Sequence, residues 1–262
     1  MYTMRNYVQV QSLEEAYELR AKNKNNVILG GNLWLKMTSR DLTTGIDLCN
    51  LGLDKIEEDE ESYSIGCMCS LRDLEINASM ETEYGGAVKD ALRHIVGVQF
   101  RNTATVGGSV FPRFGFSDVL TLLGALDCEV ELFNKGRVSI KDFILDSPDH
   151  DILVKVIIKK DKRKVVYETL RMTETDFGIL NCAVSLKNGK YTIVLGAAPR
   201  KAKMVEVNPC SNWEDEDKEA KDAWLEEIVN QYVFGTNMRG SKEYRRAMAK
   251  VLITRAVDRL GV

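Results

Sequence analysis

Arg101-Asn102-Thr103-Ala104-Thr105-Val106-Gly107-Gly108-Ser109 is the stretch from which the rest of the chain is read. Thr103 to Val106 leans toward β structure, and the run ends abruptly in two glycines and a hydroxyl residue. Glycine tolerates φ > 0 and lets another group approach the main chain closely. Successive peptide N–H groups in such a turn form a concave anion site. Val27-Ile28-Leu29-Gly30-Gly31-Asn32-Leu33 has the same grammar, an apolar strand running into Gly-Gly-polar. Two such turns facing each other hold a diphosphate without any lysine.

Composition sets the outer bounds. At 262 residues the chain has room for a full core and two domains. Its 44% apolar and 29% charged residues are those of an ordinary soluble protein. A net charge of −3 gives no concentrated basic face for nucleic acid. Met1 to Arg5 lacks the apolar core of a signal peptide, and no apolar run is long enough to suggest a membrane span. Cys49, Cys67, Cys69, Cys128, Cys182 and Cys210 are scattered in a chain too large to need stapling, so a reduced, cytoplasmic protein is expected. None of them forms a Cys-x-x-Cys or an iron–sulfur spacing. If the protein handles electrons, any metal centre is expected on another chain.

Along the chain, Ser12-Leu13-Glu14-Glu15 is a capping box that opens a helix through about Lys22. Val27 to Leu29 reads as a buried strand, Leu33 to Met37 as a short helix and Thr44 to Asp47 as a further strand, a β-α-β opening. Glu57 to Glu61 reads as a wet hairpin loop, since like charges at this density repel. Tyr63 to Cys69 reads as a strand, which would put Cys67 and Cys69 on one face. Two thiols make an incomplete zinc site, so packing is the preferred role. Ser70 to Asp73 caps a helix, and Gly85-Gly86 precedes a helical stretch from Ala87 to Val96. Ser117 and Asp118 begin an apolar helix through Leu126. Cys128 to Ile140 reads as a hairpin and Ile152 to Ile158 as a strand. The charged run Lys159 to Lys164 marks a domain boundary. Val165 to Arg171, Ile179 to Leu186 and Tyr191 to Leu195 follow as strands, with Asn188-Gly189 as a hairpin turn. Asp217 to Tyr232 and Ser241 to Leu260 are amphipathic helices by their period.

At this point the sequence resembles a known family. Leu29-Gly30-Gly31-Asn32-Leu33 together with Arg101-Asn102-x-Ala104-Thr105-Val106-Gly107-Gly108-Ser109 is similar to the paired signature of the FAD-binding (medium) subunits of molybdenum hydroxylases. This is the xanthine dehydrogenase and carbon monoxide dehydrogenase flavoprotein family. Ile65 to Leu74, Ser117-Asp118 with Leu122 to Asp127, Tyr167-Glu168-x-Leu170, Asp176-Phe177 and Arg239-Gly240-Ser241-x-x-Tyr244-Arg245-Arg246 match further segments in order. The resemblance implies an α+β fold: a two-part FAD-binding domain over 1–160, made of a small βαβ unit and a larger mixed α/β unit. A C-terminal antiparallel sheet packed with helices follows over 161–262. It places the FAD diphosphate between Ile28, Leu29, Gly30, Gly31, Asn32, Leu33, Trp34 and Leu35 and a second loop of Asn102, Thr105, Val106, Gly107, Gly108 and Ser109. Asp118 falls at the acidic position that bonds cofactor hydroxyls, Ile95 and Leu153 at apolar positions near the flavin, and Tyr167 and Thr169 at the approach to the ring.

The match also has departures. Asn32 stands where Thr or His is commoner, and Ser109 where Asn or Asp is usual. Phe111 to Phe116 is more aromatic than the small-residue loop normally found there, and Glu168-Thr169 offers no lysine. By resemblance, a molybdopterin-binding large subunit hydroxylates a substrate and passes electrons through [2Fe–2S] clusters on a small subunit. The flavin here reduces NAD+, in a complex that could be a dimer of heterotrimers. No catalytic acid or base and no metal ligand on this chain is required. His94 and His150 lie far apart, with no serine motif beside either. Xanthine or another purine is the first expectation for the substrate, with nicotinate, another heteroaromatic or carbon monoxide left open. Two other readings stay open: a stand-alone flavin-dependent NAD(P)H oxidoreductase, and a cofactor-free scaffold subunit. Arg171 and Asp176 are either a structural pair or flavin-facing.

Overall fold

The computed structural model describes residues 1–147, 149–210, 213 and 218–261. They divide into two compact units that interleave along the chain. The first comprises Met1–Leu74, Val98–Pro112 and Cys128–Lys159, and the second Glu75–Gly97, Arg113–Asp127 and Lys160–Val262. The charged run after Lys159 therefore marks the last crossing, while two earlier segments already belong with the C-terminal part.

The chain opens with β1 (Thr3–Gln9), α1 (Leu13–Lys22), β2 (Asn26–Leu29) and β3 (Asp41–Asp47). These strands form a parallel sheet in the order β1-β3-β2. Helix α1 starts where the capping box places it: Ser12 Oγ accepts from Glu15 N at 3.1 Å, and Glu15 Oε2 accepts from Gln11 N at 2.8 Å. Strand β1 is an addition to the expected elements. Its residues are almost all exposed, so no apolar alternation betrays it, and pairing with β3 is what makes it a strand.

Next come β4 (Ile56–Glu58), β5 (Ser62–Gly66), α2 (Leu71–Glu75), α3 (Ala78–Glu83), α4 (Ala87–Leu92), α5 (Val98–Thr103), α6 (Val106–Val110) and α7 (Asp118–Ala125). They are followed by β6 (Cys128–Leu132), β7 (Gly136–Ser139), α8 (Ile140–Leu145) and β8 (Leu153–Lys159). Five of these strands form an antiparallel sheet in the order β4-β5-β8-β6-β7. Only Asp59 to Glu61 form the expected hairpin loop, Glu57 and Glu58 belonging to β4: Asp59 Oδ1 accepts from the N–H groups of Glu61 and Ser62 at 2.8 and 2.7 Å. β5 stops at Gly66, short of the expected Cys69, so Cys67 and Cys69 sit in a turn rather than on one strand face. Both are buried, and burial pushes their thiols up to about 12 and about 11.

The β-leaning reading of Thr103 to Val106 gives way to helix. Thr103 ends α5, Thr105 alone is extended, and its hydroxyl caps α6 by accepting from Gly108 N at 3.1 Å. A cap can use a β-branched threonine as well as a strand can. The helix from Ala87 ends at Leu92 rather than Val96, and Leu33 to Met37 contains only a 3-10 turn over Leu35–Met37.

The second unit is closed by β9 (Lys164–Arg171), β10 (Gly178–Lys187), β11 (Lys190–Gly196), β12 (Lys203–Val207), α9 (Lys218–Val229) and α10 (Lys242–Leu260). The strands form an antiparallel sheet, β12-β11-β10-β9. Asn188 and Gly189, at φ 51° and 70°, make the hairpin turn that their pairing predicts. The first eight residues of β10 are all buried, because both faces are covered. Leu180, Cys182 and Val184 join a core with Ala249, Leu252, Ile253 and Ala256 of α10. On the other face, Ser185 Oγ donates to Ala125 O of α7 at 2.5 Å, and Asn181 Nδ2 donates to Phe116 O at 3.5 Å. α7 is buried at every residue and capped by Ser117, which accepts from Leu120 N at 3.2 Å. Asp217, the expected start of the helix before Tyr232, lies outside the described residues. No helix among the described residues is long and apolar enough to cross a membrane.

Candidate cofactor-binding site

The first unit packs the Gly30-Gly31 turn against Thr103 to Thr105, just ahead of the second glycine pair in α6. An atom added at Cβ of Gly31 would lie 1.9 Å from Thr103 O, and one on Gly30 would lie 2.7 Å from Thr105 Oγ1. Glycine is therefore required at Gly31 because two backbones touch there, not because φ is positive. The left-handed residue of this turn is Asn32, at φ 58°. Asparagine is among the few side chains that adopt this conformation readily. Among the described residues, the peptide N–H groups of Gly31, Asn32 and Leu33 donate no hydrogen bond to the protein. Three adjacent unpaired N–H groups around a left-handed residue make an anion-binding hollow. No Lys or Arg occurs in 27–35 or in 102–110, so peptide dipoles are what these segments offer an anion.

The second turn is wired differently. Val106 N donates to Cys69 O at 2.9 Å, Gly107 N to Cys67 O at 2.7 Å, Gly108 N to the Thr105 hydroxyl and Ser109 N to Thr105 O at 3.1 Å. Every N–H from Val106 to Ser109 is thus spent inside the protein. A Cβ on Gly107 would meet Cys67 O at 2.8 Å, so this glycine also serves chain packing. Gly108 is open except for its own cap, with Thr105 Oγ1 at 3.1 Å. The reading that both turns supply N–H donors is corrected accordingly: the second has none left to give. Asn102 is exposed on α5, and Ser109 Oγ donates to Thr105 O at 3.0 Å.

Other residues of the first unit frame these turns. Ile28 is half-buried and Leu29 buried at the end of β2, and Trp34 meets Phe100 edge-on at 6.4 Å. Leu35 opens the 3-10 turn. Leu153 is buried at the start of β8, and its neighbour Val154 accepts from Cys67 N at 2.9 Å. β8, the Cys67 turn and Gly107 are thereby linked through consecutive main-chain bonds.

The remaining residues named from sequence lie in the second unit. Asp118, at the start of α7, is buried and accepts on Oδ1 from both the Tyr167 hydroxyl, at 2.7 Å, and Arg171 Nη2. Burial pushes this carboxyl above the ordinary carboxylate range, against the pull of Arg171 and Tyr167. Burial likewise holds the Tyr167 phenol well above its usual value, with the Asp118 charge acting in the same direction. Thr169 Oγ1 donates to Asn181 Oδ1 at 2.8 Å, and Ile95 is half-buried after α4. Arg171 does not pair with the Asp176 side chain. Its Nη1 donates to the Asp176 carbonyl, while Asp176 Oδ1 lies 3.4 Å from Arg239.

The second unit also holds a cleft that the sequence did not reveal, of about 380 Å³, lined by Phe116, Phe177, Gly178, Arg200, Asn237 and Arg239 among others. Phe114 stacks on Phe116 at 5.0 Å, Phe116 meets Phe177 edge-on at 4.7 Å, and Arg239 lies 4.9 Å from the Phe177 ring centre. The aromatic character of Phe111 to Phe116 was the available signal. Among the described residues no group of three His, Cys, Asp or Glu is placed to hold a metal ion.

A family model described as the FAD binding domain in molybdopterin dehydrogenase matches residues 2–160, more than half of the chain. The chain belongs to that family. This FAD-binding subunit of the molybdopterin-dependent dehydrogenase family is 26% identical to YgfM of Escherichia coli (strain K12) over 248 residues, 92% of this chain and 91% of YgfM. It is 24% identical to the nicotine 6-hydroxylase medium subunit of Paenarthrobacter nicotinovorans over 274 residues, 97% of this chain and 96% of that subunit. Its fold is that of a chain in carbon monoxide dehydrogenase from Hydrogenophaga pseudoflava. The TM-score is 0.81 at 21% identity, covering 98% of this chain and 96% of the other.

Proposed function

We propose that the chain is the FAD-carrying electron-transfer subunit of a molybdopterin-dependent hydroxylase of xanthine or purine dehydrogenase type. Its partners are a molybdopterin-binding large subunit and a [2Fe–2S] small subunit, and NAD+ is its electron acceptor. Residues 1–160 are the FAD-binding domain and 161–262 the C-terminal domain. The purine class rests on the sequence resemblance, since the substrate binds on the partner chain.

The observation that carries the reading is the set of three unpaired N–H groups at Gly31, Asn32 and Leu33, held against Thr103 to Thr105 in a chain of this family. The donor set fits a diphosphate: three adjacent unpaired N–H groups around a left-handed residue, with no lysine or arginine in the segment. FAD, when bound, accepts electrons singly and releases a hydride. The protein's part is positional. Gly31 lets the two turns close, Asn32 sustains the left-handed bend, and the spent N–H groups of Val106 to Ser109 keep the second turn rigid. Thr105 sets its hydroxyl oxygen beside Gly30, and Asn102 and Ser109 are the further polar side chains assigned to the site. For the acceptor, the cleft at Phe116 and Phe177 is the proposed seat, with stacking surface for a nicotinamide or adenine ring and Arg200 and Arg239 for phosphate.

The test is the purified chain itself, by flavin analysis of the denatured protein and by NADH addition under anaerobic conditions. FAD in near-equal amount to protein, bleached by NADH, is the expected result. A chain that takes up no FAD overturns the cofactor assignment. FAD that dithionite bleaches and NADH does not overturns the acceptor.

A further inference from the structure

Arg245 lies in the first turn of α10 and is fully buried. A guanidinium there is disfavoured twice, by loss of water and by the positive end of the helix dipole. Burial pulls its pKa below the ordinary arginine value, and the nearby Arg239 charge adds to this. No carboxylate among the described residues bonds it. Its hydrogens go instead to Ile179 O at 2.8 Å, Gly235 O at 2.7 Å, Asn237 Oδ1 at 2.6 Å and Gly240 O at 2.5 Å. Three of those four acceptors lie on one turn, from Gly235 to Gly240, and the fourth lies next to Gly178, which lines the cleft. The turn is closed across its neck by Asn237 N to Gly240 O at 3.1 Å and Gly240 N to Asn237 O at 3.2 Å. Asn237 Oδ1 also accepts from Arg239 N at 2.9 Å, so the same oxygen that Arg245 holds fixes the backbone of Arg239. Arg239 itself stands on the cleft wall over Phe177, and its buried Nε–H has no acceptor among the described residues.

We propose that Arg245 is a positioning residue: from beneath, it locks the 235–240 turn so that Arg239 is presented to an anionic, ring-bearing ligand in the cleft. This rests on the reading of that cleft as the acceptor-nucleotide seat. Such a lock places a charged donor ready-oriented and spares the ligand the work of ordering it.

The experiment uses the flavin-loaded chain with NADH as probe, reading the NADH dissociation constant, flavin content and hydrogen exchange of the 236–240 amides. Arg239→Gln is expected to weaken NADH about tenfold and leave exchange in the turn unchanged, a charged hydrogen bond being lost. Arg245→Lys should weaken NADH by a similar factor, speed exchange in 236–240 and leave α10 protected. The double variant should be no weaker than either single, because both act through one contact. If Arg245→Lys does not fold, Asn237→Ala removes the lock's side-chain acceptor at an exposed position and should reproduce both changes. Fast exchange with unchanged NADH binding, or additive losses in the double variant, would overturn the proposal. A flavin-loaded wild type that binds no NADH overturns the acceptor reading and, with it, the purpose assigned to the lock.

Discussion

Gly30-Gly31, packed on Thr103 to Thr105, and Gly107-Gly108, inside α6, spend their peptide groups in opposite ways. The first leaves Gly31, Asn32 and Leu33 N–H unpaired, while the second donates every N–H from Val106 to Ser109 to the protein. On the proposed function, the first is the receptor built of donors and the second its wall. Glycine serves packing in both: Gly31 admits the Thr103 carbonyl and Gly107 the Cys67 carbonyl. The lesson is that a glycine pair marks close approach, while the unpaired N–H groups beside it mark the ligand.

Substitutions can break or sharpen this contrast. The largest effect is expected at Gly31→Ala, whose new carbon falls 1.9 Å from a backbone oxygen. The loss should reach about 3 kcal/mol or more, read by denaturant unfolding. Gly107→Ala meets Cys67 O at 2.8 Å and should cost about 1–3 kcal/mol, with flavin content falling only as far as stability does. Gly108→Ala should stay within about 1 kcal/mol of wild type, since helix propensity gained offsets a single contact with Thr105. A drop in FAD affinity in that stable variant would show that the wall itself is approached by ligand.

A last effect, confined to alkaline solution, is on pH dependence. Cys67, lifted by burial to about 12, stays protonated in the folded chain while an unfolded thiol ionises near 8.5. The unfolded state therefore binds fewer protons as pH rises from about 9 toward 12, and stability falls across that window. Cys67→Ala should flatten the fall. A pH profile identical in both proteins would contradict the shift.

Sequence carried most of the architecture, for identifiable reasons. Ser12, Ser70, Ser117 and Ser241 all cap helices, and Asn188-Gly189 turns a hairpin, because these are local chemistries. β1, α8 and β12 were illegible: β1 is polar and edge-bound, α8 is a six-residue helix behind the Ser139 cap, and β12 is half exposed. The roles of the glycines were illegible too, since Thr103 approaches Gly31 from more than seventy positions away. Arg245 showed only as part of a motif, because three of its four acceptors are main-chain oxygens, one of them on distant β10.

The central claim is that the first turn grips the diphosphate, and FAD against riboflavin tests it most directly, because riboflavin lacks that group. Asn32→Asp keeps a residue that tolerates the left-handed bend and sets a carboxylate beside the hollow. The account predicts that FAD binding weakens about tenfold or more in this variant while riboflavin binding and the unfolding midpoint stay unchanged. Equal weakening of both flavins, or no change in either, would place the diphosphate elsewhere.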